Sequence, residues 1–313
     1  MVNNKESQMR KLNILVGHDF QNPSNIALDF CKELSFQKKL HCDVVHIAPD
    51  LRIHYSSFFN ESLSETYENA NATLEKNLNE ALMLFVDSKY KNQFEYSTKI
   101  RFGNVHEELK KISDDKLYDF LFLGTNAKNH SDFLFGGNKA EKIIRNINIP
   151  IGVFKQKRHQ TEKALVLVDM EDSPQLVVRE AFRLAQKLGI TKLNFATFLP
   201  IIPYYLTGPH LAASVELANI QEFSAKDRKL QEEKLHEIVK KETVSNIKTA
   251  VDIVSPQGKN LYQAVVDYLK ERSQDIVIQG RHKRSAIGDF IVGSLGQTLL
   301  RKTNSNLILI PIE

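Results

Sequence analysis

Apolar positions along the chain alternate between two patterns: short continuous runs, and longer stretches in which apolar residues recur every three or four positions. The runs Leu12–Val16 and Ala164–Val168 suit strands buried on both faces. A helical face follows each run. In the first half it is Ile26, Ala27, Phe30, Cys31 and Leu34; in the second it is Val177, Ala181, Leu184 and Leu188. Around the second helix, Ser173 suits an N-cap, Pro174 the first helical position and Gly189 the C-terminal stop. Second strands are expected at Asp43–Ile47 and Leu193–Phe198, and a longer helix with Leu74, Leu78, Ala81, Leu82 and Phe85 on one face. Third strands alternate, with Phe94, Tyr96, Thr98, Ile100 and Phe102 on one side in the first half and Ile247, Thr249, Val251 and Ile253 in the second. Helix, strand, helix and strand then complete each half. Strands that alternate with helices require crossovers, which give parallel strands with helices on both faces.

The order repeats because the sequence does. Asp119–Gly124 falls on Asp275–Gly280, and in the same register Gly137 falls on Gly293, Arg145 on Arg301, Asn148 on Asn304 and Ile151–Phe154 on Leu307–Ile310. Near the start of each half, Asp19 pairs with Asp169. The 313 residues therefore divide into two domains, expected at 1–157 and 158–313, each a five-stranded parallel-sheet α/β sandwich. Open sheets of this kind bind ligands beyond the carboxyl ends of their strands, at the point where strand order reverses. Asp19, Gly124, Asp169 and Gly280 all fall there.

After Gly280 the loop reads Gly-Arg-His-Lys-Arg-Ser-Ala-Ile-Gly-Asp-Phe-Ile-Val-Gly-Ser and ends at Gly293-Ser294, where the last helix opens. Glycine at a strand exit lets backbone approach a ribose, and Gly-Ser at a helix start offers N–H groups and a hydroxyl to phosphate. This spacing, with an Asp ending the first strand, resembles the universal stress protein family, whose loop is Gly, two residues, Gly, nine residues, Gly, then Ser or Thr. The resemblance covers both halves. It implies an adenine-nucleotide alpha hydrolase-like fold, two domains related by a pseudo-twofold axis and associated through their last strands, and an adenine nucleotide such as ATP or AMP as ligand. Carried over by position, the second half would place Asp169 and Phe198 at the base, Gly280 and Lys283 near the ribose, and Gly293, Ser294 and Leu295 at the phosphates. A weaker first-half site would use Asp19, Ile47, Gly124, Ala127, Gly137 and Asn138. Both halves depart from the pattern. Lys283 and Ala127 replace the second glycine, and Asn138 replaces the serine. The basic run Arg281 to Arg284 reads equally as a solvated face or as the wall of an anion site.

Composition narrows the classes. Hydrophobic residues are 42% and charged residues 26%, as in ordinary soluble domains, and the net charge of +4 is too diffuse for a nucleic-acid binder. The two cysteines, Cys31 and Cys42, lack zinc or disulfide-framework spacing, and no apolar run reaches the length of a membrane span. A cytoplasmic protein without membrane partner is expected. No His-Glu-x-x-His, Walker loop or Gly-x-Ser-x-Gly occurs, so no metal and no catalytic residue is assigned. His46 reads as a satisfied core or cleft histidine, and His18, beside Asp19, as a cleft candidate without a nucleophile. The apolar connections Pro49–Ser64 and Pro200–Phe223 read as lids, partner surfaces or covers for the sheet. Three functions compete: a nucleotide-binding stress protein working chiefly through its second half; a scaffold docking a protein or apolar ligand, with self-association into a homodimer open to either; and a slow ATP hydrolase in which Lys283 and the Ser294 helix start stabilise phosphate charge.

Overall fold

The computed structural model describes residues 10–50, 64–125, 143–157, 161–199, 217–256, 259–272, 274–283, 290–291 and 294–312. The chain forms two compact units, one of residues 1–159 with 282–292, the other of residues 160–281 with 293–313.

In the first unit β1 (Leu12–Gly17), α1 (Asn22–Ser35), β2 (Leu40–Ala48), α2 (Ser64–Tyr90), β3 (Glu95–Phe102), α3 (Val105–Asp115), β4 (Phe120–Gly124) and β5 (Ile151–Phe154) follow one another. The strands lie in the order β3-β2-β1-β4-β5, every neighbouring pair parallel. Strand order reverses between β1 and β4, as the crossover argument requires. Ile14, Leu15 and Val16 are fully buried, so β1 is the covered centre that its unbroken apolar run implies. Phe30 of α1 stacks on Phe154 at 4.2 Å and meets Phe122 edge-on at 5.4 Å, which fixes the helix over β4 and β5.

The second half of the chain repeats the plan with β6 (Lys163–Leu167), α4 (Pro174–Leu188), β7 (Lys192–Phe198), α5 (Leu217–Glu242), β8 (Lys248–Val254), α6 (Leu261–Glu271), β9 (Ile276–Lys283), β10 (Phe290–Ile291), α7 (Ser294–Lys302) and β11 (Asn306–Ile312). The order is β8-β7-β6-β9-β11; the pairs from β8 to β9 are parallel, and β10 folds back antiparallel on β9.

Three local expectations are corrected. Ser173 precedes α4, but its backbone is left-handed (φ 49°, ψ 47°) and its hydroxyl caps no helix N–H. Capping by the side chain needs an extended backbone at that position, which turns the oxygen toward the first turn. On α2 the buried stripe is Leu82, Val86 and Tyr90, while Ala81 is exposed, because the helix meets the sheet only through its last turns. On β8, an edge strand, Ile253 is buried, as is Ile247 just before it, but Thr249 is exposed, so the alternation fades where no neighbour covers it. The third strand of the first unit keeps its alternation, with Phe94 and Ile100 buried and Glu95, Ser97 and Lys99 exposed.

Candidate functional site

The two domains use the same device where their strands begin. Asp119 accepts from the Asn13 backbone N–H (3.0 Å) and its own N–H donates to the Asn13 carbonyl (2.7 Å). Asp275 accepts from the N–H groups of Glu162 (3.0 Å) and Lys163 (2.9 Å), and its N–H donates to the Lys163 carbonyl (3.1 Å). The repeated aspartate is therefore a clamp on the start of the central strand. Nearby, Asp43 of β2 accepts from Lys116 (2.6 Å), Tyr118 (2.5 Å), Ser97 (2.7 Å) and the His41 ring (2.7 Å). Burial alone would raise its pKa, yet these four donors hold the carboxyl well below the usual carboxylate range. In the second domain Asp252 of β8, in register with Ala196 toward the end of β7, accepts from Tyr268 (2.5 Å), Asn194 (2.9 Å) and Arg272 (3.0 Å). Burial and the Asp252 carboxylate push the Tyr268 hydroxyl up, as burial and Asp43 do for Tyr118. These groups hold helix to sheet.

The opposite edge, where strands end, carries the candidate site. In the first domain β1 gives way to His18, whose N–H extends the ladder to the Val45 carbonyl (2.9 Å). Asp19 accepts the Gln21 N–H through Oδ1 (3.0 Å), a turn that starts α1. His18 is buried, 2% exposed. Its Nδ1 accepts from the Phe20 N–H (3.2 Å), so the proton sits on Nε2 and donates to Asn25 Oδ1 (3.0 Å). Burial is the main cause that keeps this imidazole neutral, lowering its pKa. His46, at the end of β2, donates from Nδ1 to the His18 carbonyl (2.9 Å) and meets the Phe20 ring edge-on at 4.7 Å. Ile47 follows it, half-buried.

Gly124 ends β4 under the first turn of α1. A Cβ there would overlap the Pro23 carbonyl oxygen and come within 2.7 Å of Ser24 Cα, so helix packing by itself demands glycine. Lys155, just past β5, is buried, and desolvation pushes its ammonium down to about 8. The sequence reading missed it; the signal was a lone lysine directly after the apolar run Ile149–Phe154. Ala127, Gly137 and Asn138 lie outside the described residues.

In the second domain Val168 continues the ladder to the Ala196 carbonyl (2.9 Å), and Asp169 repeats the turn of Asp19, with Oδ1 accepting the Glu171 N–H (3.0 Å). Asp169 is exposed. Phe198 ends β7 with its ring edge-on to Tyr268 at 5.7 Å, which directs it toward α6. Gly280 lies inside β9 and not at its exit: the strand runs on to Lys283, where Phe290 and Ile291 pair back on Lys283 and His282. Arg281 is fully buried, and desolvation lowers its guanidinium to about 9, so this member of the basic run is no solvated charge. Gly293 lies outside the described residues, Ser294 opens α7 and Leu295 is half-buried on it. Among the described residues there is no cluster of three metal-ligating side chains and no helix long and apolar enough to cross a membrane.

A model of the universal stress protein family matches residues 12–155 and again residues 160–311. Among curated proteins, Universal stress protein MJ0577 of Methanocaldococcus jannaschii is 24% identical over 153 residues, covering 46% of this chain and 94% of its own. A universal stress protein structure from Archaeoglobus fulgidus superposes over 96% of this chain and 98% of its own with a TM-score of 0.64 at 14% identity. A structure described as a universal stress protein from Pseudomonas aeruginosa covers 97% and 94% with a TM-score of 0.55 at 12% identity. At such identities these structures establish the fold.

Proposed function

The chain belongs to the universal stress protein family, and from its two tandem copies of that domain we propose that it binds an adenine nucleotide through its second domain, as a cytosolic protein of stress adaptation. The observation that carries this reading is Asp169: one carboxylate oxygen is spent on the turn into α4, and the residue is exposed at the edge where ligands of parallel sheets bind. Its second oxygen is suited to accept from an exocyclic amino group. The residues at hand fit such a ligand in kind, an acceptor for the base from Asp169 and backbone N–H groups for phosphate where Ser294 opens α7. The nucleotide would bring a purine face and a polyphosphate. Phe198 completes the reading at the base, Gly280 and Lys283 at the ribose, and Gly293 and Leu295 join Ser294 toward the phosphates.

A second reading has its own support. Gly280 lies within a strand that runs on to Lys283 and pairs there with β10, so the position expected to receive a ribose is not a strand exit. This favours a scaffold whose loops bind no nucleotide. Denaturing protein purified without added ligand and quantifying released adenine nucleotides per chain, followed by calorimetric titration with ATP, separates the two. Stoichiometric nucleotide that is lost in Asp169→Ala and Gly293→Val supports binding; neither nucleotide nor heat of binding supports the scaffold. Product accumulation with magnesium, absent in the same variants, would add hydrolysis.

A further inference from the structure

We propose that Phe20 closes the first domain to the nucleotide, so that the two domains, though copies of one fold, divide into a ligand-binding and a self-plugged member. This rests on the second-domain reading above. The base position assigned to Asp169 and Phe198 corresponds in the first domain to Asp19 and Ile47, at the ends of β1 and β2. There the two strand ends are bridged by an aromatic contact: Phe20, next to Asp19, packs edge-on at 4.7 Å against His46, next to Ile47.

The bridge is built from every side. Phe20 has a left-handed backbone (φ 62°), which an aromatic residue adopts only when its surroundings enforce it. The enforcement is visible. His18 Nδ1 accepts the Phe20 N–H, His18 Nε2 is held by Asn25 of α1, and the His18 ring packs at 4.8 Å on Phe85 of α2. His46 in turn is oriented by its bond to the His18 carbonyl. A flat six-membered ring fixed between two strand ends covers the apolar surface that a purine would cover, so the first domain has a closed cleft without a ligand.

The second domain lacks each part. Its ladder register places Val168 where the first domain has His18, Met170 where it has Phe20, and Thr197 where it has His46. Met170 is not among the residues with a left-handed backbone. A flexible thioether and a small hydroxyl leave room for a base and can repack around it.

The test titrates the full chain with ATP by calorimetry in five forms: wild type, Phe20→Gly, the double variant F20M/H46T, and each of these two variants combined with Asp169→Ala. Glycine tolerates the left-handed backbone, and the double variant installs the second domain's residues, so the result does not depend on one substitution folding well. The expected result is that opening Phe20 doubles the nucleotide bound at saturation, and that the gained half survives Asp169→Ala. No gain in either folded variant overturns the proposal, as does a wild type that already binds nucleotide in both domains. A wild type that binds none while the opened variants bind in the first domain would uphold the plug and remove the second-domain reading. A wild type that binds in the second domain while the opened variants gain nothing would do the reverse.

Discussion

At the edge where strands begin, the two domains are close to interchangeable, with an aspartate clamping the central strand of each; further along each sheet, a carboxylate on the second or third strand accepts a tyrosine hydroxyl at 2.5 Å and a cation. At the edge where strands end they part company. The first domain has His18, Phe20 and His46 locked together, and the second has Val168, Met170 and Thr197 in those places. The shared edge supports the fold, since it pins strand register and helix position in each copy. The divergent edge lies beyond the paired stretches of β1 and β6, so its residues can differ without altering strand register.

The largest effect that would break this comparison is expected at Gly124. Gly124→Ala forces a methyl into the first turn of α1 and should cost the first domain about 3 kcal/mol, read as an earlier first transition in urea unfolding. A loss near zero would mean that α1 can retreat, and that Gly124 is retained for another reason.

Next come the two carboxylate networks. Asp43→Asn should cost about 2 kcal/mol and Asp252→Asn about 1 kcal/mol, since the Asp43 side chain is 14% exposed with four donors and that of Asp252 28% exposed with three. Equal losses would show that exposure does not grade the pair. Asp43 also sets a pH dependence. Its pKa is lower folded than unfolded, so its stabilisation is complete above the ordinary aspartate pKa of 3.8 and is lost as pH falls through that value toward the folded one. Acid unfolding of the wild type should be steeper than that of Asp43→Asn.

Smaller still is the contrast between the equivalent helices α3 and α6. Asn260 accepts the Gln263 N–H (2.8 Å), whereas Asn104 makes no side-chain cap. Asn260→Ala should cost about 1 kcal/mol and Asn104→Ala close to nothing, by thermal unfolding. The smallest expected effect is the titration of His18. Its lowered pKa means that neutral His18 stabilises the first domain above pH 6.5 and that this is lost as pH falls below it. His18→Asn should flatten that slope, and an unchanged slope would place the titration elsewhere.

The sequence by itself determined the duplication, the α/β alternation and the strand and helix faces, because each is a local period of apolar residues that burial on one or two faces must satisfy. It placed Asp19 and Asp169 at strand ends and kept Gly124 in register with Gly280. The tertiary structure alone decided what those residues do. Gly124 owes its identity to the Pro23 carbonyl of a helix distant in sequence, and Gly280 stays inside β9 because Phe290 and Ile291 pair back on the strand beyond it. Asp119 and Asp275 became clamps, Arg281 lost its water and His18 became neutral, none of it written in local pattern. Hydrogen-bond partners and desolvation come from strands and helices far apart along the chain, and periodicity records only which way each side chain faces.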